Sequence, residues 1–323
     1  MAQKKVVLLW TFLFINTTVL ADSYSNKEKN TNFIVTPSIA YRYDVFKWVL
    51  DDFYCTGKKA SKLIWKNHIV QPSIKIELQP QPKQFTFLGQ VKYGHILKNQ
   101  SKSWDHDWDN KRDKIGNVTS KLVSTSKSQA TGNILDLSGA VGYSINLFND
   151  KLLTFYLGYD YTDYRNKNYG DHQLAFKRKL DYFSSGGLFQ KYNYKTYSPW
   201  FGLSVNAPLN ERFTIIPTIK LHSFKHHGKA YWIHRADLEQ NPSFKNTAKG
   251  KGIGFDLDFI YRYSINLDLV LNLETKSLKM KKQGTNKMFL NSRNFGGGRV
   301  ETIKLLDLSL RSSSISAGLK YKL

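Results

Sequence analysis

From residue 134 to 147 the chain reads ILDLSGAVGYSINL, with Leu135, Leu137, Val141, Tyr143, Ile145 and Leu147 on odd positions and Asp136, Ser138, Ser144 and Asn146 between them. Residues 253–263 repeat the pattern, Ile253, Phe255, Leu257, Phe259, Tyr261 and Tyr263 alternating with Asp256, Asp258 and Arg262. Residues 267–276 set Leu267, Leu269, Leu271 and Leu273 against Asp268, Asn272 and Glu274. A period of two sends successive side chains to opposite faces of a strand. A soluble sandwich also alternates, but it rarely places so many charges on one face of long strands and aromatics so regularly on the other. The pattern predicts an all-β fold, a closed antiparallel transmembrane barrel with lipid outside and a polar lumen.

Ten strands are expected, over 33–48, 58–78, 82–98, 129–147, 151–166, 188–206, 211–226, 248–264, 267–282 and 302–323. The tight turns QPQ, FNDK, NAPLN and SIN alternate with five long polar segments, 49–57, 99–128, 167–187, 227–247 and 283–301. Short periplasmic turns, long extracellular loops and an even strand number are the layout of an outer-membrane barrel. Several strands exceed the roughly 9–11 residues that cross a bilayer, so the barrel should project beyond the headgroups. The last strand alternates to its end through Ile315, Ala317, Leu319, Tyr321 and Leu323, whereas Leu306, Leu308 and Leu310 fall on even positions. A β-bulge within Ser312–Ser314 is the expected cause of that change of parity.

The first 21 residues, with Lys4 and Lys5, an apolar run from Val6 to Ile15 and Val19-Leu20-Ala21, read as a secretory signal peptide, leaving 22–323 as the barrel. The apolar run is too short for a spanning helix. One cysteine, Cys55, rules out an internal disulfide in an exported chain. The net charge of +23 would ordinarily suggest nucleic acid. Export to the surface of a Gram-negative cell redirects it to outer-membrane lipid and lipopolysaccharide phosphates, with no nucleic acid as partner.

Candidate chemistry is confined to the outer segments. Asp105 and Asp107 flank His106 in SKSWDHDWDN, placed in the second outer loop, and KHHGKAYWIHRAD (225–237) lies in the fourth. A carboxylate pair facing an imidazole across a barrel mouth could activate a water. An acidic loop tip is the plainer reading of the aspartates. His222, His226 and His227 are either rim residues or a weak metal cluster, too poorly spaced to specify zinc. No GxSxG elbow occurs, and Cys55 has no evident base. No cofactor or metal is called for.

The stretches GKKASKLIWK (57–66), WDHDWD (104–109), SQATGNILDLSGAVGYSI (128–145), GYDYTDY (158–164), FQKYNYKTYSPWFGL (189–203) and SISAGLKYKL (314–323) resemble, in order and spacing, the omptins, ten-stranded outer-membrane endopeptidases. The resemblance implies a proteolytic groove in which an Asp pair and an Asp-His pair hold the attacking water, with lipopolysaccharide as a requirement for activity. Asp105 and Asp107 match the first pair, and His234 matches the imidazole of the second. Trp232 stands where the family has its second carboxylate, and Asp237 is a substitute within reach in sequence. The family's preference for basic peptides fits poorly with the lysine-rich segments KNQSK, NKRDK and KRK.

Two functions follow. One is a monomeric surface endopeptidase acting on peptide or protein substrates through Asp105, Asp107 and His234. The other, argued from Trp232, is an inactive omptin-like barrel serving as an adhesin or contacting a host surface protein. A diffusive porin is disfavoured, because ten strands enclose a narrow lumen that Asp256, Arg262 and Glu274 would fill.

Overall fold

The computed structural model describes residues 31–52, 57–80, 84–112, 117–147, 151–176, 187–233, 235, 237–291 and 298–323. The strands are β1 (Thr31–Asp51), β2 (Lys59–Pro80), β3 (Phe85–Ile96), β4 (Lys102–Arg112), β5 (Val118–Asn146), β6 (Leu152–Phe176), β7 (Leu188–Pro208), β8 (Phe213–Trp232), β9 (Phe244–Arg262), β10 (Leu267–Met280), β11 (Gly284–Leu290) and β12 (Arg299–Lys322). All pairings are antiparallel, and β1 joins both β2 and β12, so the sheet closes on itself. β3 and β4 occupy one wall position, both lying between β2 and β5. β10 and β11 share another, between β9 and β12. The wall is therefore a ring of ten made from twelve described strands. The signal-peptide segment and Cys55 lie outside the described residues.

β5, β6, β8 and β9 run further than the sequence pattern predicts at the extracellular end, beginning at Val118, ending at Phe176, ending at Trp232 and beginning at Phe244. β5 has 29 residues and β6 has 25, against the roughly 9–11 that span hydrocarbon. The stretch 99–128, expected to be a loop, is mostly wall. A turn at Leu97–Ser101, held by Ser101 N to Leu97 O at 2.9 Å and by His68 N to Ser101 Oγ at 2.9 Å, interrupts the edge. β4 then resumes pairing with the upper part of β2. The WDHDWD motif is thus a strand, not a loop. Above the lipid the outer face is no longer the apolar one and the inner face carries the core, so the alternation inverts while the backbone ladder continues.

The same boundary explains the parity change in β12. Residues 312–316 pair with β1 in unbroken register, Asp44 with Ser312 through Ala40 with Ser316, so the expected bulge is absent there. The register shifts only higher, where Val49 pairs with Asp307 and Leu50 with Leu305. Ile315 points outward into the lipid-facing band, while Leu308 and Leu310 are buried inside. The environment inverts, not the strand. Every wall strand does the same: Ile39, Val91, Leu157, Leu221 and Leu271 are exposed on the outside of the lower barrel, whereas the upper interior holds Phe46, Trp48, Leu63, Trp65, Tyr192 and Tyr194.

Below the boundary the lumen is ionic. Arg42 is bidentate on Asp44 at 2.7 Å and also reaches Asp136 at 2.7 Å. Lys220 meets Asp256 and Lys92 meets Glu274, each at 2.5 Å, around a cavity of about 300 Å³. Above it, aromatic rings bridge the lumen from β1 to β7: Phe46 and Tyr194 stack at 4.7 Å, Trp65 and Tyr192 at 5.1 Å, and Tyr164 and Tyr194 at 4.8 Å. Gly228 makes this layer possible, since a Cβ there would lie 2.3 Å from the Tyr192 hydroxyl.

Face inversion gives a paired prediction. Leu271→Lys, mid-band on the lipid side, is expected to cost about 2–4 kcal/mol of folding stability. Thr247→Lys, on the outer face above the lipid, should change stability by no more than about 0.5 kcal/mol. Urea titration of barrel refolded in lipid vesicles measures both; equal costs would mean that the boundary is misplaced.

Candidate functional site

Asp105 and Asp107 lie two apart on β4, on the face that turns inward, well above the lipid band. Ser61 of β2 is opposite Asp107 and Leu63 opposite Asp105; on the other side Ser126 faces Asp105 and Ser124 faces Asp107. Ser61 Oγ donates to Asp105 Oδ1 at 3.2 Å, and Ser124 Oγ donates to Asp107 Oδ2 at 3.3 Å. A β-bulge follows immediately, between Asp107 and Trp108. Such bulges bend a strand and re-aim its side chains. His106 points the other way, to Thr125 Oγ1 at 3.0 Å. Adjacent residues of a strand cannot share a face, so the imidazole is turned away from both carboxylates.

Beneath the pair, Ser103 and Ser128 are hydrogen-bonded at 2.6 Å and buried, and the aromatic layer forms a floor. Burial pushes the Asp107 carboxyl above the ordinary aspartate range, while hydrogen bonds from Ser61 and Ser124 and the charge of Arg235 oppose that rise. The net direction is upward, so the Asp107 carboxyl gives up its proton less readily than an ordinary aspartate.

Arg235 comes from the turn between β8 and β9. Its Nε and Nη2 donate to the two oxygens of Asp237 at 2.7 and 2.6 Å. The Asp237 hydrogen bonds hold its guanidinium above its usual range, helped by the charges of Asp237, Asp107 and Asp105. Fully buried Leu238 anchors the turn, and Gln240 Nε2 donates to the Arg235 carbonyl at 2.8 Å. The groove thus sets an Asp pair against an Arg-Asp pair. Arg235 was not among the residues picked from sequence; the only cue was its place beside His234 in a motif read for its imidazole.

His234 itself lies outside the described residues. Trp232 packs into the core, its ring 4.8 Å from Phe244 and 6.1 Å from Trp48. Asp237, considered as a substitute carboxylate for the imidazole, is held by Arg235 instead. The other histidines do not gather. His226 is buried, its Nε2 3.0 Å from the Tyr192 hydroxyl, His222 lies lower against Ser198 Oγ at 3.1 Å, and His227 faces outward. Neither inward ring is a rim residue, and His227 is on the opposite face from both. Among the described residues no group of three or more metal-ligating side chains occurs.

Residues 38–323 match the family model described as Protochlamydia outer membrane protein. The chain belongs to this family. The match and the barrel together locate the family member in the outer membrane. Among solved structures, the outer membrane protease OmpT from Escherichia coli superposes with a TM-score of 0.68 at 14% identity, over 93% of this chain and 99% of that one. The translocator domain of the autotransporter NalP from Neisseria meningitidis gives 0.39 at 8% identity, over 99% and 98%. Neisserial surface protein A gives 0.29 at 11% identity, over 90% and 97%. At these identities the likeness to OmpT extends to the fold alone. No curated protein matches the chain.

The raised Asp107 predicts a pH dependence of stability. An acid whose folded-state pKa is raised binds its proton more tightly in the fold. Its ionisation therefore removes native stability as pH climbs from the ordinary aspartate value of about 4 through the higher folded value. Asp107→Asn should be the more stable protein at pH 8, with its advantage vanishing by pH of about 3. Urea unfolding across that range checks the sign; a variant advantage that grows on acidification would contradict it.

Proposed function

We propose that this barrel is an omptin-like surface endopeptidase that cleaves peptide bonds with a water activated between Asp105 and Asp107. The observation that carries the reading is the inward-facing carboxylate pair clamped by Ser61 and Ser124, with Asp107 pushed toward its protonated form. Two neighbouring carboxyls that share one proton can divide the work. Asp105 takes a proton from water as it attacks the scissile carbonyl, and Asp107 donates a hydrogen bond to the carbonyl oxygen. Arg235 stabilises the developing negative charge. As the tetrahedral intermediate collapses, the C–N bond breaks and Asp105 passes its proton to the leaving amine. The likeness of the wall to a protease of the same architecture supports the reading at the level of the scaffold. His234 would join the pair from the same turn as Arg235.

A second reading rests on Trp232. A carboxylate there would orient and charge an imidazole, whereas the indole is packed between Trp48 and Phe244. Without that partner the groove becomes a binding surface, and the barrel an adhesin that contacts a host surface protein.

Cleavage of a mixed peptide library by mature protein refolded with lipopolysaccharide separates the two. Asp107→Ala should lower kcat/KM about 10²–10⁴-fold, the usual contribution of a positioned acid or base. Cleavage at the same rate by both proteins would eliminate the carboxylate mechanism, and no cleavage by the parent protein would favour the adhesin.

A further inference from the structure

Several acids of this chain pair with interior lysines, whereas one outer face sets lysine opposite lysine. On the exterior of β8–β11, Lys225 is directly opposite Lys249, Lys229 opposite Lys245, Lys245 opposite Lys287 and Lys251 opposite Lys279. All are exposed, and no ion pair involves any of them among the described residues. The outward positions around them on these strands are Ser223, His227, Thr247, Ser277 and Phe289, none of them acidic, with Glu239 of the β8–β9 connection alongside, its N–H bonded to the Phe289 carbonyl at 2.8 Å. Like charges directly opposite on a sheet destabilise it. Elsewhere on the outer wall some cations have acid partners, Arg165 with Asp163 and Lys47 with Asp307, while Lys66 opposite Lys102 and Lys167 opposite Lys191 are isolated like-charge pairs, not a continuous array.

The array rises in rows. On β9, Ile253 is the last exposed apolar residue of the band, Lys251 and Lys249 follow, and Lys245 is eight residues further out. At about 3.3 Å per residue and a tilt of roughly 40°, Lys245 stands about 20 Å above the hydrocarbon edge. The headgroup layer is only about 5–8 Å deep. Lys251 and Lys279 are therefore at headgroup depth, and the Lys229–Lys245–Lys287 row is well beyond it. This upper row also carries rings: Lys245 Nζ lies 5.2 Å from the centre of Phe289, and Tyr231 follows Lys229 on the same face of β8. Cations about 5 Å apart across strands, flanked by aromatic faces, suit a chain of anionic sugars, whose acid groups meet the lysines while ring C–H faces lie on the aromatics.

We infer that the outer wall of β8, β9 and β11 binds a linear sulfated polysaccharide through Lys229, Lys245 and Lys287. This surface faces away from the groove and is independent of proteolysis.

The test uses mature barrel refolded in zwitterionic micelles and passed over immobilised dextran sulfate, with neutral dextran as control. The parent protein should be retained and released by salt. The triple variant K229E/K245E/K287E should lose about tenfold or more in affinity, as expected when several unpaired cations leave an anion site. K229Q/K245Q/K287Q should weaken binding in the same direction, and K251E/K279E should leave most of it intact. Heat-shifted gel mobility shows that each variant is folded. A parent that is not retained, a triple variant that binds like the parent, or binding that only K251E/K279E weakens would each overturn the inference. So would capture by lipopolysaccharide vesicles alone, which would assign the lysines to the membrane.

Discussion

A strand that leaves hydrocarbon and enters water keeps its hydrogen bonds but exchanges the solvent on its outer face, and this constraint organises the barrel. Within lipid the backbone must be paired into a closed ring, with apolar side chains outward and polar ones in the lumen. Above lipid the requirement on the outer face is reversed, while the ring persists because β5, β6 and β12 are too long to stop at the headgroups. Leu308 and Leu310 can then become an interior core on the same strand whose Ile315 faces lipid. The upper barrel is in effect a soluble β-barrel stacked in register on a membrane one.

That stacking provides a floor and walls for the candidate site. Asp105 and Asp107 stand on a strand paired on both sides, which restricts them far more than a loop tip would. The ionic lumen below is separated from them by rings stacked from β1 to β7. Burial is what raises Asp107, since desolvation acts on the charged form, and the hydrogen bonds from Ser61 and Ser124 work against it.

The lower half of the barrel was legible in the sequence because lipid imposes a strict period of two on Leu267–Leu273 and Ile253–Tyr261, and the ring of ten followed from it. The upper half was not. In WDHDWD both faces are polar or aromatic, so the alternation that identifies a strand is present but inverted, with Asp105 and Asp107 inside and Trp104 and Trp108 outside; read with the lipid rule it looks like a loop. The same rule produced a bulge at Ser312–Ser314 that the register does not contain. Arg235 escaped notice for a different reason: its effect on Asp107 is made by a turn meeting a strand more than a hundred residues away, and no local spacing encodes that.

Trp232 illustrates how the two requirements interact. Its position is the junction where β8 leaves the wall, so the side chain chosen there must either serve the groove or cap the aromatic layer against Trp48 and Phe244. Indole does the second. An aspartate at that position would place a charge against the rings of Trp48 and Phe244, at the cost of desolvation, unless a cation accompanied it. The turn does supply one, Arg235, but Asp237 already holds both arms of its guanidinium. The indole at 232 therefore serves the core, while the neighbouring guanidinium carries its charge toward the Asp pair. On the proposed reading, the groove's chemistry falls to the two carboxylates and that guanidinium.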